Sequence, residues 1–596
     1  MAVFTWRRSG DPIIDWGREV FAAWYVSEGW GVPQDVSQLF GPLPYHVNGL
    51  LLRLFGTSIT TLLAANLAVL GVAAVCVWKI AARIFHRSIA SLALLAFLFL
   101  SGFPHLTLDG NYNFLTPYSH GATHGVTLGL VLLVVLTSAR QPRSESRRWV
   151  VAGVLCGLAL LTKPEIGIAT MATLVVALAI PAPGGLRSPL PGFALALAGA
   201  SLPIALSLSG VFSGLTGRAA FSAIVAPYRS ALLPAARRSP YYLRGMGLDM
   251  PVTHVAVGIG LLLALGLLAA VLIRVRGQLG GIGLRRRRRV TSIVLGLGLP
   301  ALMLVTFRAA PFAWLWLGRS LGPGVLLLLL GFCVPVLRRG PGKSSNQYER
   351  ARSLAILCTL ALGMLLKLGL WPRFHHYGFA LAAPAVLAAV GGLTWIAPAA
   401  IRRGFGRTPG ILALGRGLVL YVIAMSALTS LVVYGSRNTP LAEGADRIYL
   451  LDPARDARTD PFLRTYKFLE TRVERDTRLR VLPEGSLLNY LLRARPALDI
   501  ASLMPLELGV LGTEEIVERM ASESPELLVL VESDLEAYGL ARFPPGDSIY
   551  APLVGWIEAS YCPERAFRSP GNPSPAILVL ARCPRSAPAQ SPNPGR

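Results

Sequence analysis

Apolar runs recur along most of the chain, and their spacing sets the first expectation. Stretches near the ~20 residues that cross a hydrocarbon core as a helix lie at about 58–80, 88–107, 121–138, 190–210, 252–273, 290–306, 322–337, 352–370, 377–397 and 413–434. Two shorter runs, 149–162 and 165–181, flank the polar turn "TKPE" and read as two further spans. Arginines cluster between the runs: Arg83 and Arg87, Arg140 to Arg148, Arg187, Arg274 to Arg289, Arg338 to Arg352, and Arg402 to Arg416. With about twelve crossings all of these fall on one side, which the positive-inside rule makes cytoplasmic. The expectation is a polytopic α-helical protein of a bacterial-type inner (plasma) membrane, with residues 1–45 and everything after about 435 outside the cytoplasm.

The pattern changes after Tyr434. "DPFLRTYKFLETRVERD" and "GTEEIVERMASES" carry helical spacing, whereas "LRVLP", "ELLVLVES" and "AILVLAR" are short apolar strand-like runs. Residues 435–584 are therefore expected to form a small exported α/β domain behind a transmembrane domain at 46–434. The Pro- and Ser-rich tail, 585–596, is expected to be disordered. At the other end, Ile13, Trp16, Val20 and Trp24 recur at helical spacing while Asp11, Asp15, Arg18 and Glu19 occupy the opposite face. This predicts a helix lying on the outer membrane surface with its carboxylates turned away from lipid. Because a loop is not exported without a span before it, a further helix is expected ahead of residue 1.

Composition agrees with the pattern. Of 596 residues, 53% are hydrophobic and 15% charged, and the mean hydropathy of +0.53 lies outside the soluble range. The net charge of +25 does not point to nucleic acid, because the basic residues sit in short clusters between apolar runs. Cys76, Cys156, Cys333 and Cys358 fall inside those runs, whereas Cys562 and Cys583 flank the turn "RSPGNPSP" in the exported region. An oxidising compartment makes that last pair a disulfide candidate.

Polar groups gather wherever the chain leaves the membrane on the outer side. The segment "LTLDGNYNFLTPYSHGATHG" brings Asp109, Asn111, Tyr112, Tyr118 and His120, and "LLTKPEIG" brings Lys163 and Glu165. "KLGLWPRFHHYGFALAAP" adds Lys367, Arg373, His376 and Tyr377. His120 and His124 at i, i+4 lack the third ligand that a metal centre needs, so no metal site is assigned. Charges this close to hydrocarbon pair, snorkel or serve function. Cations on the outer face run against the positive-inside bias and point to an anionic ligand such as a phosphate. Carboxylates facing those cations suit a reaction in which a base activates a hydroxyl while cations stabilise a phosphate leaving group.

The order of these segments resembles the GT-C superfamily of polyprenyl-phosphate-sugar glycosyltransferases, in particular the protein O-mannosyltransferase and aminoarabinose transferase group, family 39-like. "DWGREV" followed by "FGPLPYHVNGLLLRLFG" resembles the group's acidic first-loop motif and its following "PPLYY"-like stretch; "GLALLTKPE" and "RFHHYGFALAAP" resemble two later segments. The chain departs from the group where Phe40-Gly41 stands in place of Glu-Lys. The resemblance implies a polyprenyl-phosphate-linked sugar as donor, Asp15 as catalytic carboxylate with Arg18 beside it, and Lys163, Arg373 and Tyr377 around the carrier phosphate. From the residues themselves Asp109 is a second acidic candidate, His376 a further candidate near the donor phosphate or sugar, and no cofactor is required. Asp11, Glu19, Asn111, Tyr118 and His120 are the acceptor or cavity candidates, for an acceptor that is a glycan, a lipid or a protein. A transporter or flippase would also explain the spans and the buried charges, and a non-catalytic envelope scaffold would explain the exported domain.

Overall fold

The computed structural model describes all residues except 1, 9, 109, 139–144, 182–189, 211–215, 279–298, 341–344, 406–408, 545–547, 570 and 585–596. Much of the expected span at 290–306, the Arg285–Arg289 run, Asp109 and the tail thus lie outside the described residues. The chain is a polytopic helical membrane protein with a carboxy-terminal sheet domain. Seven described helices are long and apolar enough to cross a membrane: Ile59–Ile84, His120–Thr137, Leu190–Leu208, Pro251–Val271, Ala313–Arg338, Gly378–Arg402 and Ile411–Gly435. Shorter apolar helices, Arg87–Gly102 and Pro164–Ala179, complete the bundle with Glu145–Leu160 and Ser345–Leu365.

Arginines bind carbonyls at one end of the bundle. Arg83 Nη1 donates to Val134 O (2.8 Å), and Arg352 donates to Ile180 O (3.0 Å) and Ala177 O (2.9 Å). These carbonyls belong to the last turns of their helices, where unpaired C=O groups and the helix dipole favour a cation. Two arginine clusters thus meet at one end of the bundle, and the carboxy-terminal domain sits at the other.

That domain begins with a hairpin, β1 (Arg437–Leu441) and β2 (Ile448–Leu451). A four-stranded sheet follows in the order β3 (Leu479–Leu482), β4 (Leu527–Val531), β6 (Asn572–Arg582) and β5 (Tyr561–Ser569). β3 and β4 are parallel and the other neighbours antiparallel. Between β3 and β4 the chain crosses over through the helices Leu487–Leu492, Pro505–Leu511 and Thr513–Glu523. Cys562 and Cys583, 21 residues apart at the β5–β6 edge, are joined in a disulfide. Closing a loop of that size removes unfolded-state entropy worth about 3 kcal/mol. Replacing both cysteines with serine is therefore expected to lower the unfolding temperature of the domain. Calorimetry of the purified chain checks this, with the reduced wild type expected to match the variant.

The amino-terminal helix, Asp15–Ser27, is enclosed on both faces. Trp16, Val20 and Trp24 are buried, and Arg18 and Glu19 on the opposite face are buried too. The carboxy-terminal domain reaches both faces, with Glu507 3.6 Å from Arg18 on the charged face and Tyr490 edge-on to Trp24 at 6.0 Å between centroids on the apolar one. Amphipathic spacing distinguishes two faces of a helix but does not name what covers each.

The amino-terminal segment is pinned between the two domains. Asp35 accepts from the backbone N–H groups of Ala501 (2.8 Å) and Ser502 (3.0 Å), and Gln34 N donates to Asp499 O (2.6 Å). Asp446, from the turn after β1, accepts from Ile59 N at 2.8 Å at the start of the first long span.

Candidate functional site

Bundle and carboxy-terminal domain together enclose a cavity of about 1030 Å³. Its walls divide by chemistry. On the bundle side Lys163, Glu165 and Lys367 gather, on the domain side Glu484, Glu507 and Tyr538, and Asp15 and Arg18 of the amino-terminal helix lie between.

Lys163 owes its place to a stitched turn. It precedes Pro164, which starts the next helix with the fixed φ suited to a first helical position. The carbonyls just before it, Leu161 O and Thr162 O, accept from Leu43 N (3.2 Å) and Gly41 N (2.7 Å). A Cβ on Gly41 would lie 2.2 Å from Leu161 O, so only glycine lets the two segments approach. Gly41 thus seats the Lys163 turn, and the Phe40 ring lies under the ammonium at 4.9 Å. Lys163 Nζ donates to Tyr118 Oη (2.8 Å) and pairs with Glu165 (3.2 Å).

Asp15 faces the cavity with a side chain 26% exposed. One of its oxygens accepts from Arg18 at 2.9 Å, and the other accepts from the Tyr112 hydroxyl. Burial first, then the Asp15 charge, pushes the Tyr112 phenol well above its usual range, so it stays a donor. The Arg18 guanidinium is taken up on every side: Asp15, Tyr118 O (3.0 Å), Glu507 (3.6 Å) and, more distantly, Glu19 (4.0 Å). Arg18 thus joins the amino-terminal helix to the loop at Tyr118 and to the carboxy-terminal domain while lining the cavity.

His376 adopts a left-handed backbone (φ 52°) in the turn "RFHHYG". This aims its ring into the cavity, where Nε2 lies 3.2 Å from Tyr241 Oη, and Tyr241 in turn lies 2.7 Å from Tyr377 Oη. Burial first, then Arg373, holds the His376 imidazole well below its usual pKa, so it is neutral.

Of the residues read from sequence, Asp15, Arg18, Tyr118, Lys163, His376 and Tyr377 line the cavity. Five do not. Asp11 is buried against Arg458 at 2.7 Å and caps Ile13 N, so it joins the amino-terminal segment to the domain. Glu19 and His120 bind each other (2.9 Å), with Tyr45 Oη donating to Glu19 at 2.9 Å. Asn111 accepts from Leu106 N (3.1 Å) within its own loop. Arg373 is buried behind the wall, its Nη2 3.2 Å from His376 Nδ1. The corrections share one reason: a polar side chain beside a helix end satisfies the backbone or a neighbour as readily as it faces a cavity. No group of three His, Cys, Asp or Glu side chains is placed to hold a metal ion among the described residues.

Residues 40–205 match the family model described as dolichyl-phosphate-mannose-protein mannosyltransferase. Over that segment the resemblance to the protein O-mannosyltransferase group is borne out. The matched segment holds Gly41, Tyr112, Tyr118 and Lys163; Asp15 precedes it, and the carboxy-terminal domain lies beyond it. Solved structures that match the chain include the oligosaccharyltransferase AglB from Archaeoglobus fulgidus in complex with an inhibitory peptide and a dolichol-phosphate. The identity there is 14% over 97% of this chain and 71% of that one, with a TM-score of 0.41. ArnT from Cupriavidus metallidurans bound to undecaprenyl phosphate matches at 12% identity over 95% and 93% of the two chains, with a TM-score of 0.43. No curated protein matches the sequence significantly.

Proposed function

We propose that the protein transfers a sugar, with inversion, from a polyprenyl-phosphate carrier to an acceptor hydroxyl on the outer face of the inner membrane. The observation that carries this reading is the cavity itself, which sets the Asp15 carboxylate and the Lys163 and Lys367 ammonium groups on its walls at the junction of bundle and domain. Asp15 takes the proton of the acceptor hydroxyl. The acceptor oxygen bonds to the anomeric carbon while the bond from that carbon to the phosphate oxygen breaks. The released polyprenyl phosphate leaves with its charge met by Lys163 and Lys367. Mass spectrometry of envelope glycans and glycoproteins tests the reading. A strain lacking the gene is expected to lose one sugar from a defined acceptor and regain it on complementation; an unchanged profile overturns it.

Sidedness has its own test. A periplasmic phosphatase reporter fused after residue 440 is expected to be active and one fused within the Arg285–Arg289 run silent. The reverse pattern moves the cavity to the cytoplasmic face and removes the outer-face reading.

A further inference from the structure

Glu507 is the group that the reading above leaves unused. It sits in the first turn of the helix Pro505–Leu511, inside the carboxy-terminal domain and far in sequence from the matched segment. The residue is 5% exposed and lines the cavity. One oxygen, Oε1, faces Arg18 Nη1 at 3.6 Å, and the other, Oε2, is buried with no hydrogen-bond partner. A buried carboxyl oxygen without a partner is costly, and here it borders a space large enough for a substrate.

We infer that Glu507 hydrogen-bonds a substrate hydroxyl beside Asp15, which makes the carboxy-terminal domain part of the active site. This rests on the glycosyl-transfer reading. Arg18 carries the geometry: one guanidinium holds Asp15 at 2.9 Å and faces Glu507, so two carboxyl groups from different domains converge on one corner of the cavity. The groups whose charge reaches Glu507 are Arg18 and Asp15 on the amino-terminal helix and Asp35 on the short helix that follows. Tyr242, Tyr538 and Tyr550 also feel it. Burial pushes the Glu507 carboxyl up to about 8 against the opposing pull of Arg18, so at neutral pH it carries a proton. A neutral carboxyl both donates and accepts, which suits it to a hydroxyl. Asp15, held by Arg18 and Tyr112, accepts only while it carries its charge. A sugar or acceptor hydroxyl set between them is oriented by Glu507 and faces Asp15.

The test compares Glu507→Gln, which keeps shape and a donor, with Glu507→Leu, which keeps bulk alone, in the full-length chain. Sugar transfer is read by mass spectrometry in a complemented deletion strain. Binding is read on purified protein with undecaprenyl phosphate and with the polyprenyl-phosphate-sugar pool extracted from the deletion strain. Glu507→Gln is expected to transfer within about threefold of wild type, and Glu507→Leu to fall about 10- to 100-fold, the loss expected for an unmade buried hydrogen bond. Both are expected to bind undecaprenyl phosphate normally. If Glu507→Leu also retains the extracted donor normally, the hydroxyl is the acceptor's; if it loses only the extracted donor, the hydroxyl is the donor sugar's. The inference is overturned if Glu507→Leu transfers like wild type, if Glu507→Gln falls as far as Glu507→Leu, or if undecaprenyl phosphate binding falls in parallel. Asp15→Asn separates the two readings: normal transfer by that variant overturns glycosyl transfer from this site, whereas its loss beside an intact Glu507→Leu overturns this inference alone.

Discussion

Asp15→Asn is expected to abolish detectable sugar transfer while leaving the protein folded and able to bind undecaprenyl phosphate. The amide keeps the size of the carboxylate and its contact to the Tyr112 hydroxyl, but it cannot accept the acceptor's proton. General base catalysis contributes about 10²–10⁴-fold in rate, and that is the expected loss. Binding of the carrier lipid does not use the base, so it stays near wild type. Envelope mass spectrometry beside a lipid-binding titration separates the two effects. Equal loss of both reports a misfolded amino-terminal helix, which size-exclusion profiles and unfolding temperature check directly.

Lys163→Ala is expected to behave differently, because a phosphate contact exists in the ground state and strengthens as the leaving group gains charge. Undecaprenyl phosphate binding should weaken about tenfold. Transfer should fall further, by the 10²–10³-fold typical of losing one preorganised donor to a developing anion. The substitution also leaves Glu165 without its 3.2 Å partner, so Lys163→Ala with Glu165→Gln is the paired control. If the double variant restores transfer, the lysine serves to neutralise Glu165 and not to bind phosphate.

Much of the architecture was legible along the chain. Apolar runs of bilayer length announce spans because hydrocarbon leaves backbone groups no partner but their own helix. The switch to short alternating segments after Tyr434 announced the sheet domain for the same local reason. The site was legible only in part. Tyr118, Lys163, His376 and Tyr377 stood out because each is polar at the end of an apolar run, Asp15 because it shares the charged face of an amphipathic segment, and all five line the cavity. The same signal picked out Asn111 and His120, which satisfy a backbone N–H and a buried carboxylate.

Glu484 and Glu507 carried no such signal. Each is one acidic residue in a domain rich in them, and nothing nearby in sequence separates them from surface carboxylates. Sequence by itself therefore determined the membrane class, the spans and the carboxylates and cations at their ends, since these follow from solvation residue by residue. Tertiary structure alone decided what covers the amino-terminal helix, why Gly41 must be glycine, and which distant carboxyl meets Arg18. Those are facts about which surfaces touch, and residues hundreds of positions apart leave no local periodicity to record it.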